Sequence, residues 1–193
     1  MKEENKKLFE AICGEHLSPN FDEAFGEIYD QKHDQFRMQE NALLDYKENF
    51  PSADDINYRS GLLKLIAAFH NTYGGLILFG VRNVDFKPVG VTGEFDVEKY
   101  NSLYSEIFSE NIELIKNSYS VSVGGEDVKV IAVLVPRRRS ASPAIAQRSY
   151  GQICEGRSYI RERHEALVAN GRHYPILFSD REILGDALSN EIS

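Results

Sequence analysis

From Leu62 to Val91 the chain passes from a helical rhythm into a nearly unbroken apolar run. Leu62, Ile66, Phe69 and Tyr73 recur at i, i+4, i+7 and i+11, one stripe of an α-helix. Gly74-Gly75 then supply the positive-φ stop that ends such a helix. Leu76 to Val81 are too short a run to span a membrane and too continuous for a half-exposed strand. They predict the central strand of a sheet, covered on both faces.

The remaining elements fall into place around this unit. Leu8 and Ile12 share a face in a short helix ahead of Ser18. Ser18-Pro19 reads as an N-cap followed by proline at the first helical position, and Phe21, Phe25 and Ile28 carry a second helix to Tyr29. Asp30 to Gln39 shows no apolar period and receives no element. Glu40 to Glu48, if extended, sends Leu44 and Tyr46 to one side and Asp45 and Lys47 to the other. Glu40 is an odd number of residues from Asp45, so the two carboxylates converge only if Asn41 to Leu43 bend.

Pro51 to Asn57 predicts a loop, and Asn83 to Lys87 a polar turn into a short return strand, Pro88 to Val91. Phe95-Asp96 opens a long helix with Val97, Tyr100, Tyr104 and Ile107 on one face, ending before Asn117-Ser118. Tyr119, Val121 and Val123 alternate, Gly124-Gly125 mark a tight turn, and Val128 to Val135 complete a hairpin. Ser158 to Arg161 has strand character and Arg163 to Ala169 predicts the start of a helix. The succession predicts an α/β (α+β) fold, a single domain with a mixed β-sheet flanked by helices. Its expected divisions are a helical arm (1–30), the domain proper (31–178) and a tail (179–193) that is either a docking helix or a linker into a further domain.

Composition narrows the class. At 193 residues one substantial core is affordable, and no stretch reaches the roughly 18 apolar residues of a spanning helix. The start, MKEENKK, lacks the apolar core of a signal peptide, so a soluble, cytoplasmic protein is expected. Cys13 and Cys154 stand far apart with no zinc-ligand spacing, which points to reduced thiols. The net charge of −8 argues against indiscriminate nucleic-acid binding, yet it is an average. Between Arg137 and Arg172 lie eight arginines and three glutamates, +5, leaving −13 elsewhere. Arg137, Arg138, Arg139, Arg148, Arg157, Arg161 and Arg163 are therefore candidate phosphate contacts, because a guanidinium can grip phosphate with two prongs.

Glu40-x4-Asp45-x-Lys47, the block AFHNTYGGLILFGV (Ala68 to Val81), Val89-Gly90 and Tyr159-Ile160-Arg161 occur in that order. Together they resemble the Schlafen-type AlbA-like domain, a family described as DNA-binding, over roughly Gln39 to Ala169. The resemblance implies nucleic-acid work as part of a larger protein, and in some members an endoribonuclease acting on transfer RNA. Carried over by motif, Glu40, Asp45 and Lys47 take the positions of two catalytic acids and a lysine. The third acid of those nucleases falls at or beside Arg82-Asn83, where no carboxylate stands, and Asp85 would have to swing in. A metal site of Glu40, Asp45 and Asp85 would hold Mg²⁺ or Mn²⁺ through hard oxygen ligands, with Lys47 against the phosphate.

Other signals are weaker. Gly74, Gly75 and Gly80 follow a helix and enter a strand, the reverse of a phosphate-binding loop. His70, beside the apolar stripe of its helix, reads as a satisfied, half-buried histidine; His164 and His173 could touch phosphate, and Tyr150 and Tyr159 could stack on bases. Three readings stay open: a nuclease, a binding module without chemistry, and a protein-interaction or homo-oligomerisation domain.

Overall fold

The computed structural model describes residues 3–178 apart from residues 53 and 141. The expected tail thus lies outside the described residues. Helix α1 (Glu3–Cys13) buries Leu8 and Ile12. Helix α2 (Phe21–Phe25) is shorter than its apolar spacing predicts and is capped by Asn20, not Ser18. The Asn20 Oδ1 accepts from the backbone N–H of Asp22 (2.9 Å) and Glu23 (3.3 Å), while the Ser18 hydroxyl donates to Glu23. The chain then turns into a small hairpin, β1 (Tyr29–Asp30) with β2 (Gln35–Phe36), in the stretch without a period. Phe21, Phe25, Tyr29, Phe36 and Tyr119 meet there edge to face, Phe21 and Tyr29 at 5.2 Å. Aromatic packing of this kind outweighs the weak preference of a short helix to continue.

Strand β3 (Leu44–Lys47), helix α3 (Ile56–Asn71) and strand β4 (Gly75–Phe79) follow, then α4 (Val97–Phe108), β5 (Ile115–Val123) and β6 (Glu126–Val135). Asp55 and Asp96 cap α3 and α4 by accepting from the N–H of Tyr58 and Lys99. The main sheet has the order β3-β4-β6-β5, with β3 and β4 parallel and the other pairs antiparallel. Pro88 to Val91 forms no strand; Pro88 makes only a bridge to Val81.

Strands β7 (Tyr159–Glu162) and β8 (Glu165–Val168) form a separate hairpin, where a helix was expected after Arg163. Arg163 takes φ +53° and reverses the chain with His164, and Leu167 pairs with Ile160. A Gly171–His173 3-10 turn leads into α5 (Tyr174–Leu177).

Each sheet face carries its own core. Leu44, Tyr46, Leu76, Leu78, Ala132 and Leu134 face α1, α2 and the small hairpin. Ile77, Phe79, Ile131 and Val133 face α3 and α4. Asp45 and Lys47 pair across β3–β4 with Ile77 and Phe79, so they share that second face. No helix among the described residues is long and apolar enough to cross a membrane.

The join between α3 and β4 is closely packed. Gly74 holds φ +76°, and a Cβ there would come within 2.5 Å of Ile12. A Cβ on Gly75 would lie 2.2 Å from the ring of Phe69, which is itself fully buried. Gly75→Ala is therefore expected to lower unfolding stability by about 1–3 kcal/mol in a denaturant titration. A loss below roughly 0.5 kcal/mol, the scale of an ordinary surface change, would show that Phe69 has room to move.

Candidate functional site

The approach to β3 bends as convergence of its acids requires. Asn41 turns the chain, accepting from the Leu43 N–H (2.8 Å) and donating its own N–H to Leu44 O (3.0 Å). This returns Glu40 to the outer edge of β3, where its Oε1 accepts from the Tyr46 N–H at 3.0 Å. Burial pushes the Glu40 carboxyl above its usual pKa, and the negative Asp45 adds to the effect; the Tyr46 N–H, Lys47 and Arg161 oppose it.

Asp45 is only 3% exposed. Its Oδ2 lies 2.9 Å from Nη2 of Arg161, and the Lys47 ammonium bonds Oδ1. Arg161, 1% exposed, also donates to Asn41 O (3.1 Å) and Leu44 O (3.3 Å) and stacks over the Phe69 ring at 4.9 Å. Burial lowers its pKa from the usual guanidinium value, and Asp45 pulls the other way.

These contacts also finish a sheet edge. In a parallel pair the backbone groups alternate sides. Leu43 O and Lys47 O point inward, accepting from Leu76 and Gly80 of the β4 side. Leu44 and Tyr46 consequently point outward. Their outward backbone groups are met by Arg161 on Leu44 O, Glu40 on the Tyr46 N–H, and Lys47 on Tyr46 O (3.3 Å). The acid-acid-lysine pattern is thus a cap on an edge strand as well as a candidate chemical site.

The end of α3 delivers Arg161 to this place. The Asn71 side chain donates to Ala144 O (3.1 Å) and Tyr159 O (3.0 Å) and accepts from the Ala144 N–H (2.8 Å). Thr72 Oγ1 donates to Ala68 O (2.7 Å) and accepts from the Arg161 N–H (2.9 Å). Asn71 and Thr72 therefore hold β7 so that Arg161 reaches under Asp45. Sequence reasoning missed this role, although two polar residues inside an apolar block were a signal.

The other candidates do not join the cluster. Asp85 is held by Arg82 through two bonds (2.9 and 2.7 Å), which lower its pKa, so the Arg82-Asn83 loop contributes no third acid. Among the described residues no three His, Cys, Asp or Glu side chains gather as a cation site. The donor set itself suits a divalent ion poorly. Both Asp45 oxygens already face cations, and the charges of Glu40, Asp45, Lys47 and Arg161 cancel with nothing added.

The arginines do not form one wall. Arg137 and Arg138 are buried, the latter donating to Ser140 O (2.8 Å) and to Leu177 O, and Arg161 is in the core. Arg139 pairs with Glu15 and Arg148 with Glu106. Arg157 and Arg163 are exposed at the two ends of β7 with no ion pair to a described residue. Charge counting along the sequence could not separate arginines that serve the interior from those that face water. His173 is likewise buried, against Glu162 at 3.1 Å, and Tyr159 is buried with its hydroxyl accepting from the Cys154 N–H. His70 is satisfied as expected but fully buried where half-burial was expected, donating from Nδ1 to Pro136 O at 2.7 Å.

A family model described as Schlafen, AlbA_2 matches residues 40–170. A search of curated proteins finds no match. Among solved structures the chain is similar to the DIP2311 protein from Corynebacterium diphtheriae, with 15% identity and a TM-score of 0.46. That match covers 72% of this chain and 28% of the other, so the chain spans under a third of that protein's length.

The raised Glu40 pKa has a sign that can be measured. The folded state keeps the Glu40 proton to higher pH than the unfolded state, so this group's contribution is most favourable in acid and is lost as pH rises through its folded value. Glu40→Gln keeps an acceptor for the Tyr46 N–H and removes the buried charge. It is expected to be at least as stable as the parent at pH 7, with the difference closing as pH falls into the carboxylic-acid range. A variant clearly less stable than the parent at pH 7 would contradict this.

Proposed function

The chain belongs to the Schlafen AlbA_2 family, and from that membership we propose that it is a nucleic-acid-binding module, part of a larger protein, that holds a phosphate backbone without cutting it. The observation that carries the second half is the engagement of both Asp45 oxygens by Lys47 and Arg161. A metal-assisted endoribonuclease needs carboxylate oxygens free to hold the ion and a third ligand close by. Here Asp45 answers a buried guanidinium, and Asp85 is tied to its own loop arginine. Releasing Asp45 to a metal would leave Arg161 charged and unpaired in the interior, a cost of several kcal/mol.

Binding is assigned to the flank of β7. Arg157 and Arg163 are six residues apart, about 20 Å along an extended chain, a span that reaches several phosphates. Lys47, half-buried at the edge of β3, is already bonded to Asp45 and is secondary. Arg139 and Arg148, each already facing a glutamate, are secondary. The two exposed thiols, Cys13 and Cys154, suit the reducing cytoplasm.

The full chain should bind transfer RNA or duplex DNA with an affinity that falls steeply with salt. Arg157→Glu and Arg163→Glu should each reduce the slope of log K against log [salt] by about one to two. With Mn²⁺ or Mg²⁺ present, no cleavage above a metal-only control is expected. Cleavage that Glu40→Gln abolishes would replace this reading with the endoribonuclease, and wild-type slopes in both arginine variants would remove the binding surface.

A further inference from the structure

The far edge of the sheet is less completely closed than the β3 edge. Strand β5 is the last in the order, and along Ile115–Val123 its outer backbone groups have no backbone partner among the described residues. Its first half is covered: Asn117 donates to Leu17 O (2.9 Å) and the Tyr119 hydroxyl to Ser18 O (2.6 Å). Its second half, at Ser120, Val121 and Ser122, borders a cleft of about 660 Å³ walled on the other side by α2 and the β1–β2 hairpin. Gly124 and Gly125, at φ +60° and +88°, close the turn into β6 at the cleft's end.

Two features of the cleft indicate what it receives. Tyr29 lines it, is 4% exposed, and its hydroxyl has no hydrogen-bond partner among the described residues. An unmet buried hydroxyl is unfavourable, so a ligand that answers it gains affinity. Asp22 and Asp34 stand on the rim with no cationic partner among the described residues. Asp22 Oδ1 accepts only from Gln31 Nε2 (3.3 Å), and Asp34 Oδ2 from the Gly124 N–H (3.0 Å). Burial first, then the negative charges of Asp34 and Asp30, push the Tyr29 phenol up to about 12. A phosphate backbone is disfavoured there by the same charges.

We propose that this cleft is a docking groove for an extended, basic segment of a partner protein. The segment adds a strand to the open half of β5 through main-chain hydrogen bonds, and a lysine or arginine side chain enters the cleft toward Asp22, Asp34 and the Tyr29 hydroxyl. Strand addition supplies affinity from the backbone, and the acidic pocket beside it supplies selection by charge. This site lies on the opposite edge of the sheet from Glu40 and Asp45 and is independent of the nucleic-acid reading.

The test titrates the ¹⁵N-labelled full chain with a blocked octapeptide of alternating lysine and valine, with a glutamate–valine control and a lysine–valine peptide N-methylated along one edge. The lysine peptide should shift the Ser120 to Gly125 and Tyr29 amides and bind at least about tenfold tighter than either control. Tyr29→Phe should weaken it about tenfold while leaving the thermal midpoint unchanged or raised, and Asp34→Asn should weaken it further. Equal binding of the three peptides, indifference to Tyr29→Phe, or shifts elsewhere would overturn the proposal. So would protection of the same amides in the free protein with a mass that rises with concentration, which assigns the edge to a second copy.

Discussion

Arg161 is a full charge placed where water does not reach, 1% exposed between the end of α3 and the edge of the sheet. A guanidinium in that position must be answered on several sides or it unfolds the region around it. Asp45 supplies the counter-charge, Asn41 and Leu44 supply carbonyls, and the Phe69 ring covers one face. Asn41, Leu44 and Asp45 belong to the bend and strand β3, Phe69 to α3 and Arg161 itself to β7, so the cluster ties these three segments together. The glycines at the join belong to the same constraint, because the Phe69 ring under Arg161 occupies the space a side chain on Gly75 would need.

The chemistry of the acid pair follows from this placement. Asp45 is committed to a structural cation, and Lys47 takes its second oxygen, while Glu40 is spent on a strand edge. Burial gives Glu40 a raised affinity for its proton. A cluster balanced in charge has little to offer a metal ion and little to repel a polyanion with. The module reading rests on that balance together with family membership.

Much of this was legible in the sequence. Leu62, Ile66 and Phe69 and the run after Gly75 mark α3 and β4, but Tyr73 lies beyond the end of the helix in the opposite core, and α3 is buried continuously from Leu65 to Asn71 and not along one stripe alone. The requirement that Asn41 to Leu43 bend could be stated from side-chain alternation alone, and the bend is there. The β1–β2 hairpin was not legible, since two-residue strands carry no period and are held by aromatic contacts from distant segments. Strand β8 was read as helix because Arg163-His164 carries no turn residue of the usual kind, yet Arg163 adopts positive φ. The arginine wall failed for a different reason. A charged side chain signals water by default, and only tertiary partners such as Asp45 for Arg161 or the Leu177 carbonyl for Arg138 reverse that.

The two edges of the main sheet are handled differently. Side chains of Glu40, Lys47 and Arg161 close β3, whereas β5 stays partly open beside an acidic cleft. Asp45 answers Arg161 and Lys47, and a metal ion would have to take it from them. Carbonyl-detected NMR of the full chain with added Mn²⁺ addresses this directly, since a bound paramagnetic ion broadens the carboxyl carbons of its ligands. The account predicts Asp45 and Glu40 carboxyl signals no more broadened at millimolar Mn²⁺ than those of the surface acids. Selective, saturable broadening of both at micromolar Mn²⁺ would contradict it.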